Sequence, residues 1–206
     1  MRELILGGQK SGKSRLAEER VRAWLAQSSS LTSALSSPRS AVLIATGLAH
    51  DEEMRQRIAR HQADRLLRLP VLRCVEEPLQ LGDALRAASN PTSLVVIDCM
   101  TMWLTNLLMP SDEAIFKRNE QFAGVLPAQN AIDLIAVLHD ALAQIAQANG
   151  HVVIVSNEIG LGVIPLGAEV RHFVDELGKL NQALAAQCER VTLMAAGCAL
   201  TLKGVP

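Results

Sequence analysis

Gly7-Gly8-Gln9-Lys10-Ser11-Gly12-Lys13-Ser14 fits the pattern G-x-x-x-x-G-K-[ST], in which glycines let consecutive backbone N–H groups close around a phosphate. The flanks agree with that reading. Leu4-Ile5-Leu6 before the loop is a short buried strand by composition, and Arg15 to Val21 after it is the start of a helix. The positive end of that helix dipole adds to the attraction for an anion. The pattern assigns Gly7, Gly8, Gln9, Lys10, Ser11 and Gly12 to the phosphate cradle, Lys13 to the β/γ-phosphates and the Ser14 hydroxyl to Mg²⁺. ATP or GTP is the expected ligand.

Outward from this loop the chain alternates strand and helix. The first helix is expected to about Ala26, with Leu16, Val21 and Leu25 inward and Glu18, Glu19, Arg20 and Arg22 mostly outward. A Ser-rich surface segment near 28–40 precedes a buried strand, Ala41 to Thr46. Thr46-Gly47 then lies at the C-terminal edge of a parallel sheet, where ligands collect. A charged helix follows from about Asp51 to Arg65, with Met54 and Ile58 on one face. Leu72 to Val75 is a strand leading into Glu76-Glu77-Pro78, and paired acids with a proline mark the start of the next helix, up to Ala88. Hydrogen bonding of these acids to a base or ribose is the alternative.

Ser93-Leu94-Val95-Val96-Ile97-Asp98 is an apolar strand ending in an acid, the form of a Walker-B element whose carboxylate helps hold Mg²⁺. Met100 to Leu108 is a mainly apolar helix in which Thr101 and Asn106 are candidates to face the site. A polar surface segment near 110–130 separates it from a helix over 131–148, whose spacing places Ile132, Ile135, Leu138, Leu142 and Ile145 on one face. Val152 to Val155 is a strand running into Ser156-Asn157-Glu158, where Glu158 is either a site acid or a solvated loop carboxylate. A helix over 167–187, with Val170, Phe173, Leu177, Leu180 and Leu184 as its stripe, precedes a closing hairpin split at Gly197. The sum is an α/β three-layer fold of RecA-like P-loop type, with a mostly parallel sheet and a C-terminal antiparallel hairpin. We expect one nucleotide-binding domain over 1–206, with insertions near 28–40 and 110–130.

Composition narrows the function. The 206 residues are 49% hydrophobic but only 2% aromatic, with no Tyr, which suits an aliphatic parallel-sheet core. A formal net charge of −1 argues against a nucleic-acid binder working by bulk charge. Cys74, Cys99, Cys188 and Cys198 form no C-x-x-C pair, so reduced thiols are expected rather than zinc or a disulfide framework. The apolar residues before the glycine loop are too few for a signal peptide, and no apolar run approaches the ~18 residues of a membrane span. A cytoplasmic enzyme is the expectation.

On the charged helix, Arg57, His61 and Arg65 stand at i, i+4 and i+8 on one ridge. Flanking cations keep an imidazole neutral and nucleophilic, and hold phosphate oxygens beside it. That suits a phosphoryl or nucleotidyl acceptor. A solvated basic face explains the arginines equally well.

Several strings in order resemble one family. They are Gly7 to Arg15, Ala45-Thr46, Asp51-x-Glu53-Met54-x-x-Arg57-Ile58-x-x-His61 and Val75-Glu76-Glu77-Pro78. Asp98-Cys99-x-Thr101-x-Trp103-Leu104-Thr105-Asn106-Leu107, Ser156-Asn157-Glu158-x-Gly160-x-Gly162-x-x-Pro165, Arg171-His172-Phe173 and Leu180-Asn181-Gln182 complete the set. With them the chain resembles, over nearly its whole length, the bifunctional adenosylcobinamide kinase/adenosylcobinamide-phosphate guanylyltransferases of cobalamin biosynthesis. The resemblance implies phosphorylation of the aminopropanol hydroxyl of adenosylcobinamide by ATP or GTP. Transfer of GMP from GTP to that phosphate then gives adenosylcobinamide-GDP and pyrophosphate, through a guanylyl-histidine that maps onto His61. It further implies GTP contacts at Gln62, Ala63, Asp64 and Arg65, nucleotide or metal contacts at Ala45, Thr46, Gly47, Glu76 and Asp98, and a homotrimer with the site near a subunit boundary. Arg60 stands where some members carry a first histidine, which leaves His61 as the candidate, and some members carry Glu at position 98. The rivals are a plain P-loop kinase of a small metabolite and a nucleotide-dependent switch protein.

Overall fold

In the computed structural model, residues 1–29, 38–49, 51–109 and 134–205 are described. The expected surface segments near 28–40 and 110–130 therefore lie mostly outside the described residues. Among those described, the order is β1 (Arg2–Gly7), α1 (Lys13–Ser29), β2 (Ser40–Ala45), α2 (Glu52–Arg68), β3 (Arg73–Glu76), α3 (Leu81–Ala88) and β4 (Ser93–Asp98). Then come α4 (Met100–Leu108), α5 (Leu134–Gln147), β5 (His151–Val155), α6 (Ala168–Gln187), β6 (Arg190–Ala195) and β7 (Cys198–Lys203).

One sheet runs β3-β2-β4-β5-β1-β6-β7. All neighbours are parallel except the β6–β7 hairpin, whose turn carries positive φ at Ala196 and Gly197. This is an α/β P-loop-type fold. The strands are apolar on both faces because both are covered. Period-2 alternation sends Leu4, Val42, Ile44, Val95, Ile97, Val152 and Ile154 to one side, against α3 to α6. Ile5, Leu43, Val96, Val153 and Val155 go to the other, against Leu16, Ala17, Val21 and Trp24 of α1.

Several local readings of the sequence change. The inner stripe of α1 includes Trp24, whose indole N–H donates to the Ser40 carbonyl at 3.0 Å, while Leu25 is only partly buried. Glu18 is not outward but 6% exposed, because Arg68 from the end of α2 covers it with a pair of contacts at 2.9 and 3.0 Å. Arg20 turns back to the fully buried Glu3, with its Nε at 2.9 Å. Helix boundaries also move, since α2 continues to Arg68 rather than Arg65. On α5, Ile135 is exposed, and Ala141 and Ile145 make the buried contact.

His151 packs its ring 4.3 Å from that of Trp24, and Arg39 stacks on the same indole at 3.9 Å. Burial, then the nearby N-terminal ammonium and Arg39, hold the imidazole below its ordinary pKa of 6.5. Above that value the group is neutral in both folded and unfolded chains. Below it the unfolded chain takes the proton first, so stability falls with pH until the folded value is passed. Urea midpoints at pH 7.5 and 5.5 should therefore differ less in His151→Gln than in the wild type. In the core, Trp103 is fully buried and donates to Leu79 O at 3.0 Å; Trp103→Ala should lower unfolding free energy by about 3–5 kcal/mol, read from urea denaturation.

Candidate active site at the carboxyl edge of the sheet

The glycine loop joins β1 to α1 and is shaped by backbone rather than side chains. Gly7 has φ +151, and a Cβ there would lie 2.4 Å from the Met194 carbonyl oxygen on β6. Gly12 has φ +103, beside the Met194 methyl, and Lys10 is also left-handed at φ 54. The loop is tied to the sheet on both flanks. Ser11 O accepts from Gly197 N at 3.0 Å, and Gly7 O accepts from Glu158 N at 3.1 Å.

Lys13 opens α1, is only 7% exposed, and donates from Nζ to Gly8 O at 2.6 Å. Burial lowers its pKa from the ordinary 10.5, opposed by the negative charge of Asp98 nearby. Asp98 ends β4, in register with Ala45 of β2 and Val155 of β5. With Ser14, Glu18 and Arg65 it lines a small cavity floored by Ala17, Val21, Leu43, Leu72 and Val96. Thus Ser14 and Asp98, assigned separately in the sequence, face one space. The Cys99 thiol is pushed up to about 11, first by burial and then by Asp98, so it is neutral at physiological pH.

Thr46 is fully buried. Its hydroxyl donates to Cys99 O at 2.6 Å and takes the Cys99 N–H at 2.9 Å, locking the end of β2 to the turn after Asp98. Asn106 completes the brace, donating to Thr46 O at 2.7 Å and Pro78 O at 3.1 Å. The two acids after β3 separate in role. Glu77 accepts from Leu79 N and Gln80 N at 2.9 and 2.7 Å, which leads the chain into α3. Glu76 accepts from Gln62 Nε2 at 2.7 Å, bringing two sequence-assigned residues into contact.

No residue of α2 is buried. Asp51 caps it, accepting from Met54 N at 2.7 Å, and Arg57 and Arg68 reach inward while Arg55 pairs with Glu52 on the exposed side. Gln9 of the glycine loop, with its amide oxygen toward α2, accepts from both terminal nitrogens of Arg57 at 2.9 and 3.1 Å. Arg65 borders the cavity of Ser14 and Asp98 and lies 4.0 Å from the Cys74 sulfur. His61 is exposed on the ridge between them, and Ala63 and Asp64 are exposed beside it. Gly47 lies under Ile58 of the same helix. The Gln9–Arg57 contact had no sequence signal beyond the ridge spacing itself.

Residues 3–202 match the family described as cobinamide kinase / cobinamide phosphate guanyltransferase. The chain belongs to that family. A relative from Pseudomonas aeruginosa, the bifunctional adenosylcobalamin biosynthesis protein CobP, is 41% identical over 206 residues, covering 100% of this chain and 99% of its own. The Escherichia coli protein CobU, with the same bifunctional description, is 33% identical over 207 residues, covering 97% and 98%. This member of the family thus aligns with its relatives end to end, and its glycine loop and α2 fall within the matched span.

The close approach at Gly7 gives a direct test. Gly7→Ala places a methyl against Met194 O in a backbone region that alanine avoids, and should destabilise by about 2 kcal/mol. That corresponds to roughly 4–8 °C in melting temperature for a chain of this size, measurable by calorimetry.

Proposed function

We propose that this chain phosphorylates adenosylcobinamide with ATP or GTP, then transfers GMP from GTP to the new phosphate through a guanylyl-His61 intermediate. The observation that carries this reading is the ridge of α2. Arg57 is bonded to Gln9 in the glycine loop, Arg65 borders the cavity of Ser14 and Asp98, and His61 stands between them. A nucleoside triphosphate seated on the loop would have two guanidiniums beside the imidazole to hold its phosphate oxygens near the ring. The family and the bifunctional relatives point to the same two reactions.

In this proposal Gly7 to Ser14 cradle the phosphates and Lys13 neutralises charge on the transferred group. A hydroxyl and a carboxylate facing one space are the hard oxygen donors that Mg²⁺ takes, together with phosphate oxygens. Ser14 and Asp98 would hold the ion, which when bound offsets charge on the β- and γ-phosphates. Gln62 and Glu76, already paired, together with Ala63, Asp64 and Arg65, would meet the guanine nucleotide. Ala45 and Gly47 would border it, while Thr46, its hydroxyl, N–H and carbonyl already bonded to Cys99, Asp98 and Asn106, would hold the end of β2 in place beside it. We further propose a cytoplasmic homotrimer acting as one domain per chain. No helix among the described residues is long and apolar enough to cross a membrane. The exposed Leu161, Val163, Ile164 and Leu166 offer surface for a second copy.

Incubation with α-³²P-GTP and Mg²⁺ without corrinoid, followed by denaturing electrophoresis, tests the covalent step. An acid-labile, alkali-stable label is expected in the wild type and absent in His61→Ala. A folded, GTP-binding protein that takes no label would leave the plain cobinamide kinase. Lys13→Ala should reduce cobinamide phosphorylation by about a hundredfold or more, in a coupled assay of nucleoside diphosphate release.

A further inference from the structure

The family's first reaction needs something to take the proton of the acceptor hydroxyl, and the acids at the carboxyl edge of the sheet can be sorted by what they already do. Asp98 faces Lys13 and Ser14. Glu18 is held by Arg68, Glu76 by Gln62, and Glu77 by the N–H groups leading into α3. Glu53 and Asp64 are exposed on α2, whereas Glu158 lies on the loop that leaves β5. Its Oε1 accepts from Gly160 N at 2.8 Å, and Oε2 has no partner among the described residues.

Its position is fixed by the sheet. β5 lies between β1, which carries the glycine loop, and β4, which ends in Asp98. The residues leaving β5 must therefore emerge between the phosphate cradle and that carboxylate. The backbone there is pinned at each step. Ser156 N donates to Ile5 O at 3.0 Å and Glu158 N to Gly7 O at 3.1 Å. Asn157 N donates to Thr101 Oγ at 2.8 Å, and Asn157 O accepts from Asn181 Nδ2 at 3.0 Å. A turn bonded to three separate elements, twice to β1 and once each to α4 and α6, is a support for chemistry rather than a free surface loop. Independently, the fully buried Ser156 Oγ beside it and the buried Ser11 Oγ of the glycine loop have no hydrogen-bond partner among the described residues. Buried hydroxyls are seldom left so unless a ligand or ordered water meets them.

We propose that Glu158 is the general base of the kinase step, an assignment that rests on the cobinamide kinase reading above. The acceptor O–H gives its proton to Glu158 Oε2. The oxygen lone pair forms the new O–P bond to the γ-phosphorus, and the bond from that phosphorus to the β,γ-bridging oxygen breaks. The nucleoside diphosphate leaves with the electron pair, and the proton on Glu158 passes to water before the next turnover. Because transfer of a phosphoryl group is largely dissociative, removal of the base slows the step without abolishing it.

Glu158→Gln separates this role from a structural one, since the glutamine carbonyl still accepts from Gly160 N. The assay is kcat for phosphorylation of cobinamide by ATP between pH 5 and 8.5, with nucleotide KM and melting temperature measured alongside. The expected result is a fall of about 10²–10³-fold in kcat with KM and melting temperature unchanged. A variant within threefold of the wild type, or one whose loss of kcat comes with a raised nucleotide KM or a lowered melting temperature, overturns the assignment. A wild type that phosphorylates no cobinamide overturns the kinase reading itself, and the base with it.

Discussion

The carbonyl of Gly7 and the space above its α-carbon constrain everything at the functional edge. β6 brings the Met194 carbonyl so close that no side chain fits at position 7, and from the other flank Glu158 N bonds to Gly7 O. The glycine loop therefore leaves the sheet from a point fixed on both sides. The same device recurs along the edge. Thr46 N bonds to Asp98 O, Glu77 N to Ala45 O, and Ser156 N to Ile5 O. In each case the parallel ladder continues past the strand into the loop that follows. Loops built this way inherit the rigidity of the sheet, which is why residues distant in sequence can hold one geometry without a large number of side-chain contacts.

Charge is distributed unevenly over that scaffold. Lys13 is buried and its ammonium is disfavoured by desolvation, yet Asp98 and the Gly8 carbonyl oppose that effect. Beneath it, Glu18 and Glu3 are buried acids matched by arginines from outside the core, Arg68 and Arg20. Pairs of this kind contribute little net stability relative to an apolar replacement, but removing one partner leaves a charge stranded. Their effect is positional. Arg68 bonded to Glu18 fixes the end of α2 on α1, and hence the height of the ridge over the glycine loop.

The sheet was legible in the sequence because each strand is a short apolar run and each run ends at a turn signal, from Leu4-Ile5-Leu6 to Val152-Val153-Ile154-Val155. The glycine loop was legible because its chemistry needs a fixed spacing. What sequence could not show was how charged residues spend their contacts. Glu18 follows the pattern of a solvent-facing position on α1 and is buried only because a helix more than forty residues on supplies Arg68. Glu76 and Glu77 are identical neighbours, and nothing local says that one leads into a helix while the other meets Gln62. Ile135 fits a helical stripe but is exposed, while Ala141 and Ile145 are buried and Leu138 and Leu142 pack half-buried against the core. Periodicity reports which face is apolar, not which neighbour arrives to cover it.

This contrast bears most on α2. Thr46, Thr101, Asn106 and Asn181 are buried and held by directional bonds to backbone, so their places are set by packing. The residues of α2 are nowhere buried, and the helix is seated through Arg57 on Gln9, Gln62 on Glu76 and Arg68 on Glu18. Few buried apolar contacts mean a lower free energy of local opening than for the strands beneath. Exposed charge pairs are also weakened by salt in a way that packing is not. The proposed nucleophile thus sits on an element oriented by electrostatics, while the lysine and the proposed base sit on elements oriented by the sheet. In the proposed scheme, two reactions that share one nucleotide cradle but use different attacking groups would be served by that division. The group that must meet the γ-phosphorus is fixed relative to the loop, and the group that would carry GMP is held by bonds that phosphate oxygens themselves can replace.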